Sequence, residues 1–172
     1  MDIMIQGCRG GVPDTEAFVA SLQDFAAAHD IACQAFDADA VYGTMHLRSA
    51  VQHAVRSFRR GDAVCNDLSM EILLYASGCR QIRDAIERVG VRNGDLVLLA
   101  VGRTDIPGAD GDLPDMSPFM DEHSLASDDD VLAGTDATLD RFGILADVRE
   151  AIDTSMYEDL ILEQVAMVDL QK

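Results

Sequence analysis

Apolar positions alternate briefly at the start of the chain and then fall into helical spacing. Ile3 and Ile5 alternate with polar neighbours, which predicts a strand over 2–6. Gly7, Gly10 and Gly11 predict a turn, and Pro13 is placed to open a helix that Phe18, Leu22 and Phe25 carry to about His29. Residues 31–36 read as a second strand, with Val41 and Tyr42 extending a hairpin-like region. From Thr44 to Arg60, Leu47, Ala50, Val51, Ala54, Val55 and Phe58 make one helical face, and Gly61 stops the helix. Two further helices are predicted over 67–77 and 79–89, the second closed by Gly90 just past its end. Leu96–Val101 is short and continuously apolar, as a central strand covered on both faces must be. Segment 104–130 holds three of the four prolines, many aspartates and no periodicity, so it predicts a long surface loop with a helical turn near 118–125. Short helices over 138–142 and 148–152 are separated by Gly143. Ser155 and Glu158 form a capping box for a last helix to about Val168, with a strand over 165–170 as the competing reading.

Strands and helices interleave, but few strands are evident. The pattern predicts an α+β fold, a small mixed sheet packed with helices, in a single compact domain over 1–172. No run of about 20 apolar residues exists to span a bilayer. The start of the chain has neither a charged leader nor a cleavable apolar stretch, so a soluble cytoplasmic protein without a membrane partner is expected.

Net charge is −18, and twelve of the thirteen basic residues are arginine. An acidic shell almost without lysine suits a cytoplasm of very high salt, where screening reduces self-repulsion. Cys8, Cys33, Cys65 and Cys79 lack metal-ligand spacing and read as reduced thiols in the core. Gly7–Gly11 follows a strand and precedes a helix but lacks the glycine spacing and lysine of a phosphate loop. Asp110–Asp115 resembles a calcium loop with proline at a ligand position and no glycine at the sharp turn, which favours a solvated loop. His46 and His53 sit seven apart on one helix without a serine or carboxylate motif, and solvated or capping roles are expected. No catalytic constellation, metal site or cofactor is implied.

The positive signal is basic. Eight arginines between 48 and 92 make that segment +3, leaving −21 elsewhere. On the 44–60 helix Arg48, Gln52, Arg56 and Arg59 fall within roughly 80° of arc opposite the core face. Arginine forks suit phosphate, but high salt weakens attraction to phosphate alone, so stacking on unpaired bases must help, with Tyr42 or Tyr75 as the platform. Nucleic-acid contact and plain surface both fit this ridge. Arg80 and Arg83 belong to a segment with i,i+4 carboxylates and read as solvated decoration. In the last helix Met156, Leu160, Leu162 and Val165 belong to an apolar arc too wide for a one-sided surface helix. Such a helix is either buried within its own domain or shared between a core and a partner.

Between 46 and 90 the chain resembles the TPRKB-like family, the small kinase-binding subunit of the KEOPS complex. The resemblance rests on His46-Leu47 with Ala50 and Ala54, on Glu71-Ile-Leu-Leu-Tyr75-Ala-Ser-Gly78, and on Arg80-Gln-Ile82 with Ala85-Ile86 and Gly90. It implies a non-catalytic subunit of the machinery that installs threonylcarbamoyl on N6 of tRNA adenosine. Its partners would be the kinase-like ATPase subunit and the single-stranded 3′ CCA end of tRNA, with indirect association to the threonylcarbamoyl-transferase subunit. Charge then nominates Arg48, Arg56, Arg59, Arg80 and Arg83 for tRNA, and amphipathicity nominates Met156, Leu160, Leu162 and Val165 for the kinase. The alternatives are an adaptor that binds the kinase only, or a small metabolite enzyme with His46 or His53 in an arginine-lined pocket.

Overall fold

The structure is a computed structural model that describes residues 1–104 and 106–171; Asp105, within the 104–130 segment, lies outside them. The first strand, β1 (Ile3–Arg9), runs longer than expected because Gly7 lies inside it and not in a turn. Helix α1 (Thr15–Ala28) is capped by Asp14, whose carboxylate accepts from Ala17 N–H at 2.9 Å, so Pro13 precedes the helix. Strand β2 (Ile31–Asp37) is followed by a 3₁₀ turn over Ala38–Ala40, where a hairpin extension was expected. Helices α2 (Gly43–Arg60), α3 (Leu68–Ser77) and α4 (Ile82–Val89) come next. Asp67 caps α3 through Ser69 N–H at 2.8 Å. Gly90 closes α4 in extended backbone, φ −60°, and bridges antiparallel to Phe36, where a left-handed cap was expected.

Strand β3 (Leu96–Gly102) is buried at every residue. Leu96, Leu98 and Ala100 face one core cluster and Val97, Leu99 and Val101 the other, which is why the run carries no alternation. The described residues form a four-stranded sheet of order β2-β3-β1-β4. The α+β class holds, but every pairing described is antiparallel, so the sheet is not mixed.

The acidic segment is not simply a surface loop. It contains α5 (Ser117–Glu122) and β4 (Ala126–Ser127), which pairs with Cys8 and Arg9. Phe119 stacks on Phe18 and Phe25 of α1 with ring centroids 5.6 and 5.4 Å apart, closing one face of the sheet. The opposite face is covered by α2, α3 and the C-terminal helix, joined through short α6 (Asp136–Arg141) and α7 (Ala146–Ala151). A 3₁₀ turn over Thr154–Met156, capped by Asp153, precedes that last helix, α8 (Tyr157–Gln171). The competing strand over 165–170 does not form. Among the described residues no helix is long and apolar enough to cross a membrane.

Candidate partner and nucleic-acid surfaces

Helix α3 is apolar all round and buried from Glu71 to Ser77, so it organises what lies on either side of it. Of the solvated and capping roles expected for His46 of α2, the solvated one fails, because the residue is fully buried. Its Nδ1 accepts from Tyr42 N–H at 3.1 Å, so Nε2 carries the proton and donates to Ala76 C=O at 2.7 Å. Burial pushes the imidazole down to about 4, against a smaller upward pull from the Ala76 carbonyl. His53, two turns further on, places Nδ1 2.7 Å from Asp169 Oδ2, and the Tyr75 hydroxyl donates to Asp169 Oδ1. One carboxylate near the end of α8 thus ties that helix to both α2 and α3. At Gly78, φ is +67° and an added Cβ would stand 3.2 Å from Gln164, so α3 ends tightly against α8.

This arrangement divides the last helix into two faces. Ile161, Val165 and Val168 are fully buried in the core, while Leu160 is half-buried against it. Val165 therefore packs within the fold and has no surface to offer a partner, contrary to its nomination. Leu162 is half-buried, and Met156, in the turn before the helix, is 48% exposed. Met167 and Leu170, which were not nominated, are 42% and 78% exposed. At 100° per residue Met167 and Leu170 lie roughly 60° apart on the side opposite Val165, with Leu160 at the boundary between that side and the core. Leu145, just before α7, and Val148 on it are exposed as well.

The arginine ridge is present on α2. Arg48, Arg56, Arg59 and Arg60 are exposed, and among the described residues none of them makes an ion pair or hydrogen bond. The same is true of Arg80 and Arg83. Arg80 precedes α4, so the helical i,i+4 pairing expected for it does not apply. The His46–Ala76 bond joins the end of α3 to the first turns of α2. Arg80 follows that end, whereas Arg59 lies at the far end of α2, roughly 20 Å away along the axis at 1.5 Å per residue. The five nominated arginines therefore form two groups, an α2 ridge and an α3–α4 corner. Arg88 and Arg92 are structural: Arg88 donates to Ser77 C=O at 2.9 Å and lies over the Phe142 ring, and Arg92 donates to Glu87 C=O at 2.6 Å.

Of the two nominated tyrosines, Tyr75 is fully buried and has no surface for stacking. The Tyr42 ring is covered by Gly134, whose missing Cβ leaves the only room for that approach. Phe58, half-buried like Tyr42, is an aromatic on the same helix as the ridge. It lines a cleft of about 440 Å³ with Arg59, Ile106 and Pro107. Its helical periodicity reads as core, which hid this role.

A polar cleft of about 410 Å³ holds Arg9, Arg92 and Arg141 among aspartates. Arg141 donates to Asp37 at 2.8 Å, Arg92 Nε stands 3.7 Å from the same carboxylate, and Arg9 donates to Asp95 at 2.9 Å, so all three of these cations are already neutralised. The cleft contains neither His46 nor His53, and so lacks the histidine–arginine pocket that a metabolite enzyme required.

The model of the family described as "Kinase binding protein CGI-121" matches residues 14–169. The chain is also 25% identical to a protein named "Regulatory protein Cgi121" from Methanocaldococcus jannaschii, over 99% of each chain. With nearly the whole fold covered by that match, the chain belongs to the CGI-121 family of kinase-binding proteins.

Proposed function

We propose that this protein is a non-catalytic subunit of a KEOPS-type complex that makes N6-threonylcarbamoyladenosine in tRNA. It binds the kinase-like ATPase subunit through the outer face of α8 and the 3′ CCA end of tRNA through the α2 ridge, with Arg80 and Arg83 as an outlying contact. The transferase subunit is reached indirectly, through the kinase. The observation that carries this reading is the pairing of an unneutralised guanidinium row with an apolar outer face on a second helix, in a kinase-binding family. A strongly acidic chain has carboxylates to spare, yet it leaves this row unpaired. Such a subunit helps catalysis by tethering, since holding one end of tRNA raises the effective concentration of its modifiable loop at a distant site. Its acidic shell suits work at high salt, where Phe58 beside Arg59 adds stacking that salt does not screen.

Charge reversal tests the RNA half. Arg56→Glu with Arg59→Glu should weaken tRNA binding about tenfold at moderate salt while kinase affinity stays unchanged. Fluorescence anisotropy with intact tRNA and with tRNA trimmed of CCA reads this directly. Unchanged affinity of the double variant, or equal binding of trimmed tRNA, leaves an adaptor that binds the kinase alone. For the protein half, Met167→Asp with Leu170→Asp should lower kinase affinity at least about tenfold. Both side chains are exposed, so the fold is retained, and wild-type affinity in that variant moves the interface elsewhere.

A further inference from the structure

Strand β2 is the outer strand of the sheet, and its free side forms the floor of a groove. Arg103 N–H donates to Asp30 C=O at 3.2 Å, and Ala38 N–H donates to Asp95 C=O at 3.1 Å. These bonds bracket β2 and fix its parity. Even-numbered residues turn their main-chain groups toward β3, and Ile31, Cys33 and Ala35 turn theirs outward. At Ala35 the chain supplies its own substitute for a neighbouring strand. The Gln34 side-chain oxygen accepts from Ala35 N–H at 3.0 Å while its amide donates to Ser69 C=O at 3.2 Å. One residue on, Gly90 bridges to Phe36. Among the described residues nothing similar reaches the outward groups of Ile31 and Cys33.

Two cavities of about 500 and 300 Å³ run along this edge and share Gln23, Cys33, Ser69 and Met70. Val19 and Ala20 of α1 line one wall, and Met70, Leu73 and Ile86 of α3 and α4 line the other. Arg103 lines the Ile31 end, where its Nε is buried without a hydrogen-bond partner among the described residues. A main-chain edge calls for main-chain groups, which no apolar small molecule supplies. Apolar walls on both sides call for a run of apolar residues without alternation. Asp67 lines the same cavity but its carboxylate caps α3 through Ser69 and Met70 N–H, so the guanidinium calls for a carboxylate of its own.

We propose that this groove takes an extended peptide segment from another protein by strand addition to β2. The segment pairs with the main chain of Ile31 and Cys33, rests its side chains on α1 and on α3–α4, and presents a carboxylate to Arg103. Ile31 to Ala35 spans roughly 13 Å, enough for four or five residues. The added strand runs antiparallel, like the rest of the sheet, so its acidic residue is the last one. This mode is independent of the α2 ridge and the α8 face, which lie on other elements; of the proposed tRNA contacts only Arg83 shares an element, α4, with the groove wall.

The probe is acetyl-Val-Ile-Val-Thr-Asp-amide, titrated into isotope-labelled full-length protein and followed by amide NMR. The Ile31 and Cys33 amides should shift and gain protection from hydrogen exchange. Replacing the probe's Asp by Asn should weaken binding about tenfold. Arg103→Gln should cause the same loss with the Asp probe and no further loss with the Asn probe. A probe N-methylated at alternate residues should not bind, because it cannot complete the edge. The proposal is overturned if no binding is seen, if the N-methylated probe binds equally, or if the Ile31 and Cys33 amides stay unprotected. An amide spectrum of Arg103→Gln that keeps the wild-type dispersion shows that lost binding is not lost fold.

Discussion

Replacing Glu71 with alanine is expected to cost about 4 kcal/mol of stability. The residue is fully buried in the first turn of α3, and its carboxylate does the work of a strand for the loop that follows α2. Oε2 accepts from Val64 N–H at 3.0 Å and from Cys65 N–H at 2.9 Å. Oε1 lies 3.1 Å from the Ser57 hydroxyl, which also reaches Asp62 at 2.9 Å. Alanine strands the buried Cys65 amide at about 1–3 kcal/mol, takes the acceptor from the amide of half-exposed Val64 at a smaller cost, and leaves a void where the carboxylate stood. Glutamine keeps one acceptor oxygen and should cost about half as much. Chemical denaturation at fixed salt measures both. If Glu71→Ala stays within about 1 kcal/mol of wild type, the loop does not depend on this carboxylate. The consequence reaches function as well, because the loop ends the helix that carries Arg56, Arg59 and Arg60.

The same residue shows where sequence patterning succeeds and where it stops. Helix α2 is legible because its apolar positions recur at helical spacing over eighteen residues, and its start and end fall within a residue of expectation. Strand β3 is legible because a short apolar run bounded by turn residues has few other uses. Glu71 was visible only as a member of a family pattern, and spacing gave His46 and Tyr75 surface roles although both are buried. Period and composition cannot tell a buried acid with three partners from one facing water. The 104–130 segment was misread because its buried residues, among them Ala109, Met116, Phe119 and Leu125, follow no period. Met116, Phe119 and Leu125 join the cluster under α1 and Ala109 the cluster on the opposite face, contacts that lie far away in sequence. For the binding surfaces, spacing predicted the basic face of α2, but not whether neighbouring carboxylates would neutralise it. In α8 the breadth of the apolar arc was correct, yet breadth alone assigned Val165 to a partner. Its packing against α2 and α3 decides otherwise, and the outward duty passes to Met167 and Leu170.

Stability should also fall with acidity through His46 alone, before most carboxylates titrate. In the folded protein burial holds this imidazole at about 4, whereas in the unfolded chain it titrates near 6.5. The neutral form is the one that fits, since Nδ1 must accept from Tyr42 N–H and a proton there would set two donors face to face. A histidine with a depressed folded value contributes stability that is fully present above the unfolded value. As pH drops below about 6.5 the unfolded chain takes up the proton first, and stability falls by about 1.4 kcal/mol per pH unit. The loss levels off near pH 4, where the folded state protonates too, for a total of about 3 kcal/mol. His46→Gln isolates this component, because glutamine does not titrate and its amide can still donate to Ala76 C=O. Carboxylates common to both proteins cancel in the difference. Unfolding free energies measured from pH 7.5 to 4 at constant salt should show the wild-type advantage over His46→Gln shrinking by about 3 kcal/mol. Parallel curves across that range would mean that this ring is hydrated in solution, and that α2 is not locked to α3 through a dry imidazole.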